Sequence, residues 1–192
     1  VDARRFAVVV GQLTGRRIAF LVANEGVEQV ELTDPWQAIE QAGGQPILIA
    51  PDRGKVQAFN HLDRASKFPV HQTVDESSVD DFVGLVLPGG VANADQLRTR
   101  AGAVALVRAF VDAGKPVAAI CHAPWTLIET GAVRGKTLTS WPSLRTDLTN
   151  AGANWVDERV RVDPSAGWTL VTSRRPDDLP AFCREAVAAF AS

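Results

Sequence analysis

Cys121 is the residue whose type and position could do the most specific chemistry. The apolar run 116–120 (PVAAI) predicts a buried strand, Cys121 follows it directly, and a helix is predicted from there to about Glu129. At such a junction the free N–H groups and the dipole of the helix favour an anion, which would lower the pKa of the thiol. The same strand–turn–helix geometry presents nucleophilic serines. With His122 beside it, Cys121 is predicted to be reactive, although a lone cysteine can also be a small apolar core residue.

Three glutamates follow the first predicted strand. Glu28 and Glu31 are three residues apart and would share one face of a predicted helix, while Glu25 lies just before it. A carboxyl close to a thiolate should have a raised pKa, and when protonated it could donate a hydrogen bond or move a proton. Glu25 and Glu28 are interpreted as solvated acids at a helix N-terminus, and Glu31 as the functional candidate.

A glycine pair ends another predicted strand, in the sequence Leu87-Pro88-Gly89-Gly90. Glycines let backbone N–H groups approach a ligand closely, so Gly89 and Gly90 could form an oxyanion hole together with the N–H of His122. The simpler alternative is a plain tight turn.

Trp141 also lies near a strand end and could line the pocket, although packing is the commoner role of a tryptophan.

Apolar strands that alternate with helices must position these residues. The predicted strands are 18–22, 46–50, 83–87, 116–120, 136–140 and 168–173, and the predicted helices are 28–42, 101–113, 121–129, 143–150 and 176–190. A hairpin is predicted within 55–75, and 159–163 is predicted to pair with 168–173. This pattern predicts an α/β fold with three layers, in which helices cover both faces of a doubly wound, mostly parallel sheet. Chemistry in such folds gathers at the carboxyl ends of the strands.

Composition narrows the function classes. The chain has 192 residues and a net charge of −2, which suits one domain and disfavours nucleic-acid binding as a main role. Two cysteines do not make a disulfide framework, so a reducing, cytoplasmic location is expected. No metal-ligand spacing and no apolar run long enough for a membrane occur in the sequence. Residues 1–15 are predicted to be an N-terminal extension and 16–192 the domain.

Several segments together resemble the PfpI-like intracellular cysteine peptidases, within the class I glutamine amidotransferase-like superfamily. The resemblance covers roughly residues 16–191. The matching segments are Glu28 with Glu31, 87–90 (LPGG), 114–117 (GKPV), 119–124 (AICHAP), 134–136 (RGK), 150–152 (NAG), 172–174 (TSR) and 176–180 (PDDLP). Ala123 departs from the pattern, because glycine usually follows Cys-His there.

The resemblance implies roles for four residues. Cys121 would be the nucleophile, His122 its partner and Glu31 an acid bonded to the sulfur, without a cofactor. An acid from a neighbouring subunit would complete the triad, and that residue corresponds to Asp95 in a loop one residue longer than the family's. The resemblance therefore also implies a homodimer or larger homo-oligomer with its site at the subunit interface.

Two functional hypotheses follow. Members of the family are described as peptidases, deglycases, glutathione-independent glyoxalases and stress proteins, so one hypothesis is an enzyme whose thiolate attacks the carbonyl of a peptide, a glycated amine or methylglyoxal. The other is a non-enzymatic stress protein that senses oxidants through Cys121. An inactive scaffold that keeps only the fold is a third, blander alternative.

Overall fold

The computed structural model describes residues 9–192. The strands of this part of the chain are β1 (Arg17–Leu21), β2 (Glu25–Glu28), β3 (Gln45–Ala50), β4 (Lys55–Asn60), β5 (Asp63–Pro69), β6 (Gln72–Thr73), β7 (Gly84–Leu87), β8 (Val117–Ile120), β9 (Thr137–Leu138), β10 (Asn154–Trp155), β11 (Val160–Asp163) and β12 (Leu170–Ser173). The helices are α1 (Gln29–Gln41), α2 (Val91–Arg98), α3 (Ala101–Asp112), α4 (Pro124–Glu129), α5 (Arg145–Asn150) and α6 (Leu179–Ala191).

Seven strands form the central sheet, in the order β11-β12-β8-β7-β1-β3-β6. All neighbours are parallel except β11 and β12, which pair antiparallel. The register places Phe20 beside Val86 and Val86 beside Ala118. The carboxyl ends of β1, β7 and β8 therefore meet at one edge of the sheet, and the predicted mostly parallel sheet is confirmed.

Helices cover both faces of this sheet. Neighbouring residues of β1 point to opposite faces, so Phe20 belongs to one buried apolar cluster and Leu21 to the other. α1 and α6 complete the first cluster, and Phe182 is one of its fully buried side chains. α3 and α4 complete the second through Phe110 and Leu127. The three-layer architecture predicted from the apolar strands is confirmed.

Two elements next to the site differ from the prediction. Residues 25–28, for which no strand was predicted, form the strand β2, which pairs in parallel with β4, and the predicted helix 28–42 begins one residue later than expected, at Gln29. β4 and β5 form the predicted hairpin, and this hairpin offers the edge that draws 25–28 into an extended conformation. α2 was not predicted, because its sequence (VANADQLR) has only weak apolar periodicity.

One described residue of the predicted N-terminal extension, Leu13, packs against the rest of the chain. The Leu13 side chain is fully buried, and its N–H donates to the Ala42 carbonyl at 2.8 Å, just after α1. Residues 1–8 of the predicted extension lie outside the described residues. Within residues 9–192, no helix combines the length and the apolar character needed to cross a membrane.

Candidate active site at the Cys121 turn

A left-handed backbone turn holds Cys121 at the end of β8. Its φ is 63°, a conformation that costs a non-glycine residue about 1–2 kcal/mol. Two backbone hydrogen bonds hold this turn: the Cys121 N–H donates to the Ser173 carbonyl of β12 at 3.0 Å, and the Cys121 carbonyl accepts from the Trp141 N–H at 2.9 Å. Such strain persists only where neighbours hold it, and it clusters at functional sites.

The His122 ring lies against the sulfur. Its Nδ1 is 3.1 Å from the Sγ of Cys121, although side chains of adjacent residues normally diverge. The ring is buried, stacks on Trp141 at a centroid distance of 5.5 Å and contacts the Trp125 ring at 5.4 Å. Burial lowers the pKa of His122 to about 4. The imidazole is therefore neutral near pH 7, and with its proton on Nε2 the Nδ1 atom can accept the thiol proton.

Glu31 is a fully buried carboxyl on α1. Its Oε2 accepts a hydrogen bond from the Gly89 N–H at 3.0 Å, whereas no hydrogen bond to Oε1 is found among residues 9–192. Burial, helped by the charge of Glu28, raises the pKa of Glu31 to about 8. The direction is the one predicted from the sequence, but burial is the main cause rather than a neighbouring thiolate. Near pH 7 Glu31 is mostly protonated and can donate.

The pKa of the Cys121 thiol is raised, which corrects the sequence prediction of a lowered pKa. The main cause is burial, since only 6 % of Cys121 is exposed, and the negative charge of an ionised Glu31 adds to it. The backbone N–H groups of Gly90 and His122 face the sulfur and lower the pKa, but by less than burial raises it. The prediction failed because α4, the helix that follows Cys121, is short. The cost of removing the thiolate from water therefore outweighs the stabilisation that the helix dipole gives it.

The two glycines of the turn after β7 have separate roles. The Gly89 N–H already serves Glu31, so it positions that carboxyl and is not free for an oxyanion. Gly90 has a φ of 96°, and a Cβ there would lie 2.2 Å from the Gly26 carbonyl oxygen. Only glycine fits, which explains the residue type. The N–H groups left to face a developing oxyanion beside the sulfur are those of Gly90 and His122.

The other acids lie outside this arrangement within one chain. Asp95 is on the exposed face of α2, and in the described residues no hydrogen bond or ion pair joins an acid to the His122 ring. Glu28 ends β2 and accepts from the His61 N–H at 3.0 Å, so the predicted helical face shared with Glu31 is wrong. Glu25 is exposed and pairs with Arg64 at 2.9 Å.

Asn93 is a site residue that sequence reasoning missed. It is fully buried in the first turn of α2 and hydrogen bonds to the turn that carries Gly89. Asparagine is mostly exposed in proteins, and only its place just after the glycine pair could have marked it.

Trp141 supports the His122 ring, and its loss is expected to slow any reaction that uses this ring. Replacing Trp141 with alanine should lower kcat about tenfold, because an aromatic pair contributes about 0.5–1.5 kcal/mol and a displaced base transfers protons less well. Trp141→Phe should keep most of the rate. Steady-state kinetics checks this, with Trp155→Ala as control, since the Trp155 indole donates to Ser140 instead.

Two cavities on the described part of the chain are lined by other residues than those of this site. Their volumes are about 480 and 220 Å³, and both are lined by Trp36 and His71. Neither is lined by Cys121, His122 or Glu31. Since Cys121 and His122 are both buried, the chemistry described above belongs to a mostly covered site.

Comparisons with known proteins identify relatives of this chain. Residues 16–189 match the sequence profile described as the DJ-1/PfpI family. The chain is 40 % identical over 172 residues to "Protein/nucleic acid deglycase 2" of Escherichia coli (strain K12), covering 90 % of this chain and 96 % of that protein. It is 38 % identical over 174 residues to "General stress protein 18" of Bacillus subtilis (strain 168), covering 91 % and 97 %. The crystal structure of Drosophila melanogaster DJ-1beta superposes with a TM-score of 0.81 at 26 % identity, covering 92 % of this chain and 90 % of that one.

Proposed function

Because the chain belongs to the DJ-1/PfpI family, we propose that it is a cysteine-dependent hydrolase or lyase in which the Cys121 sulfur adds to the carbonyl carbon of a small substrate. The observation that carries this proposal is the 3.1 Å contact between Sγ and the Nδ1 of a buried, neutral His122. A nucleophile within hydrogen-bond reach of a base is the arrangement that covalent catalysis needs.

The raised pKa of the thiol decides the order of events. The resting thiol is neutral, so the sulfur must lose its proton as the bond to carbon forms. His122 Nδ1 accepts that proton, the C–S bond forms, and the electron pair of the carbonyl moves to oxygen. The N–H groups of Gly90 and His122 then donate to this oxyanion. Protonated Glu31 donates toward the sulfur and keeps a second negative charge away from it.

Burial favours a small carbonyl compound over a long peptide. Only 6 % of Cys121 is exposed, and the Trp141 ring stacks on the neighbouring His122, whereas an extended peptide needs an open groove. Methylglyoxal and its adducts on amino groups are substrates of suitable size. The deglycase name of the Escherichia coli relative supports the same class. That name extends to nucleic acid, but this chain has a net charge of −2, and we keep the expectation that nucleic-acid binding is not its main role.

An acid supplied by a second copy of the chain would strengthen the base. Within one chain the His122 ring lacks a carboxylate partner among residues 9–192, and burial lowers its pKa to about 4. An anion at the ring raises the pKa and stabilises the imidazolium. We propose that Asp95 of a neighbouring subunit takes this place in a homodimer or larger homo-oligomer, since it is exposed on α2, which packs against α4.

A redox-sensing stress protein is the second candidate, supported by the stress-protein name of the Bacillus relative. Oxidants react mainly with exposed thiolates. Here burial keeps the thiol protonated and covered, so the geometry supports the enzyme more than the sensor.

A substrate comparison tests the enzyme proposal. The wild-type protein should consume methylglyoxal or release amines from methylglyoxal adducts, and it should hydrolyse long peptides much more slowly. Iodoacetamide is a small electrophile that can use the same Cys121–His122 pair as the substrate, so it should label Cys121 slowly, and added substrate should slow that labelling further, because both compete for one sulfur. Peptide mapping by mass spectrometry locates the label, and Cys183, buried on α6, is the internal control.

If no carbonyl substrate is turned over and mild peroxide selectively oxidises Cys121, the sensor replaces the enzyme. Turnover of a carbonyl substrate by protein whose Cys121 is fully alkylated would exclude both candidates, because the activity would then not depend on Cys121 and the protein would not be a non-enzymatic sensor.

A further inference from the structure

Asn93 joins the carboxyl end of one strand to the turn after another. Its Oδ1 accepts from the Ala23 N–H at 2.7 Å, just beyond β1. Its Nδ2 donates to the carbonyl oxygens of Pro88 at 2.9 Å and Gly89 at 3.1 Å, just beyond β7. The side chain is fully buried, so the Ala23 N–H and the Pro88 carbonyl would each lose this bond without gaining water if the amide were removed, whereas the Gly89 carbonyl would keep a second donor, the Glu28 N–H at 3.2 Å.

The turn that Asn93 holds carries the donors of the site. The Gly89 N–H donates to Glu31, and the Gly90 N–H faces the Cys121 sulfur. The packing around this turn is tight, since a Cβ on Gly89 would lie 2.3 Å from Glu31 Oε2 and 2.6 Å from the Cys121 Cβ. A small rotation of the turn would therefore move both N–H groups relative to their acceptors.

We propose that Asn93 is a positioning residue that sets the proton affinity of Glu31 by fixing the backbone of Gly89 and Gly90 through its three hydrogen bonds. This inference rests on the proposed function for its catalytic meaning, but the hydrogen bonds that carry it do not depend on any substrate.

The residue type follows from the geometry. The site needs one acceptor toward Ala23 and a group with two donors toward Pro88 and Gly89, and a side-chain amide offers both. A carboxylate in its place keeps the acceptor but turns an oxygen toward two carbonyl oxygens. An alanine removes all three bonds. These two variants therefore disturb the turn by different means, one with a new charge and one without.

The experiment titrates Glu31 in the folded protein by infrared spectroscopy, with the band of the protonated carboxyl assigned by its loss in Glu31→Gln. In Asn93→Ala the titration should move up by about one pH unit, a tenfold gain in proton affinity, because a displaced Gly89 N–H no longer stabilises the carboxylate. Asn93→Asp should move it in the same direction, and it keeps the size of the side chain if the alanine variant does not fold. Where the wild type has activity, both variants should lose about tenfold in kcat.

Asn24→Ala is the matched control. Asn24 also bridges strand ends, since its Nδ2 donates to the Asp52 carbonyl at 2.7 Å and its Oδ1 accepts from the Asp52 N–H at 3.0 Å, but neither bond touches the glycine turn. The pKa of Glu31 measured in Asn24→Ala should equal that of the wild type.

The outcomes separate the two proposals. A lower Tm with an unmoved Glu31 titration in a folded Asn93 variant would reduce Asn93 to a structural residue and overturn the inference. A wild type without carbonyl turnover would instead refute the proposed function, while a shifted titration in the uncharged variant Asn93→Ala would still uphold the role of Asn93.

Discussion

Replacement of Cys121 by alanine is expected to lower carbonyl consumption and amine release by at least about a thousandfold, because no other group in the site can form the covalent bond. The fold should survive this change. Alanine removes one buried sulfur, and the hydrogen bonds that hold the turn, to Ser173 and from Trp141, use only the backbone of residue 121. Steady-state kinetics and thermal unfolding on the same preparations measure the two effects separately.

Two further variants sharpen this test. Cys183→Ala removes the second cysteine, which is buried in α6, and should keep the wild-type rate with a modest loss of stability. Cys121→Gly should be as inactive as the alanine variant but more stable than it by about 1 kcal/mol, because glycine adopts a φ of 63° without the Cβ penalty. Full activity in Cys121→Ala would rule out the covalent proposal.

The location of this site could be predicted from the sequence, because it depends on local pattern. Each apolar strand followed by a turn and a helix identifies a carboxyl end, and a parallel sheet brings these ends to one edge. Cys121 and the Gly89-Gly90 turn were found in this way. The structure then explains why residue 90 is a glycine, since its backbone conformation and the nearby Gly26 carbonyl exclude a side chain.

The pKa shifts of the site could not be predicted in the same way, because they depend on how deeply each group is buried, and segments far away in the sequence decide that burial. The direction of the thiol pKa depends on how far α1, Trp141 and the turn after β7 cover the sulfur, and none of these is near Cys121 in sequence. The same holds for β2, whose conformation depends on a hairpin about thirty residues away. Asn93 escaped notice because nothing local indicates that its amide is buried.

Glu31→Gln is expected to gain stability relative to the wild type as the pH rises from about 4.5 to 8. The pKa of Glu31 is raised from 4.5 to about 8 in the folded state, so in this window the folded protein binds a proton that the unfolded chain has lost. Stability of the wild type then falls with pH by about 1.4 kcal/mol per unit, or roughly 5 kcal/mol across the window. Glutamine keeps an acceptor for the Gly89 N–H and cannot ionise, so its stability lacks this slope. Denaturant unfolding at intervals from pH 4.5 to 9.5 measures the difference.

The difference between variant and wild type should be flat below about pH 4.5, where the carboxyl is protonated in both states, and flat again above about pH 8, where it is ionised in both. Glu158→Gln is the control for loss of one negative charge, since Glu158 lies half-exposed beside Arg161 at 3.6 Å. A difference that stays constant across the whole range would mean that Glu31 is ionised in the folded protein at neutral pH. The carboxyl could then not donate toward the sulfur, and a second charge beside Cys121 would oppose the attack that the proposed mechanism requires.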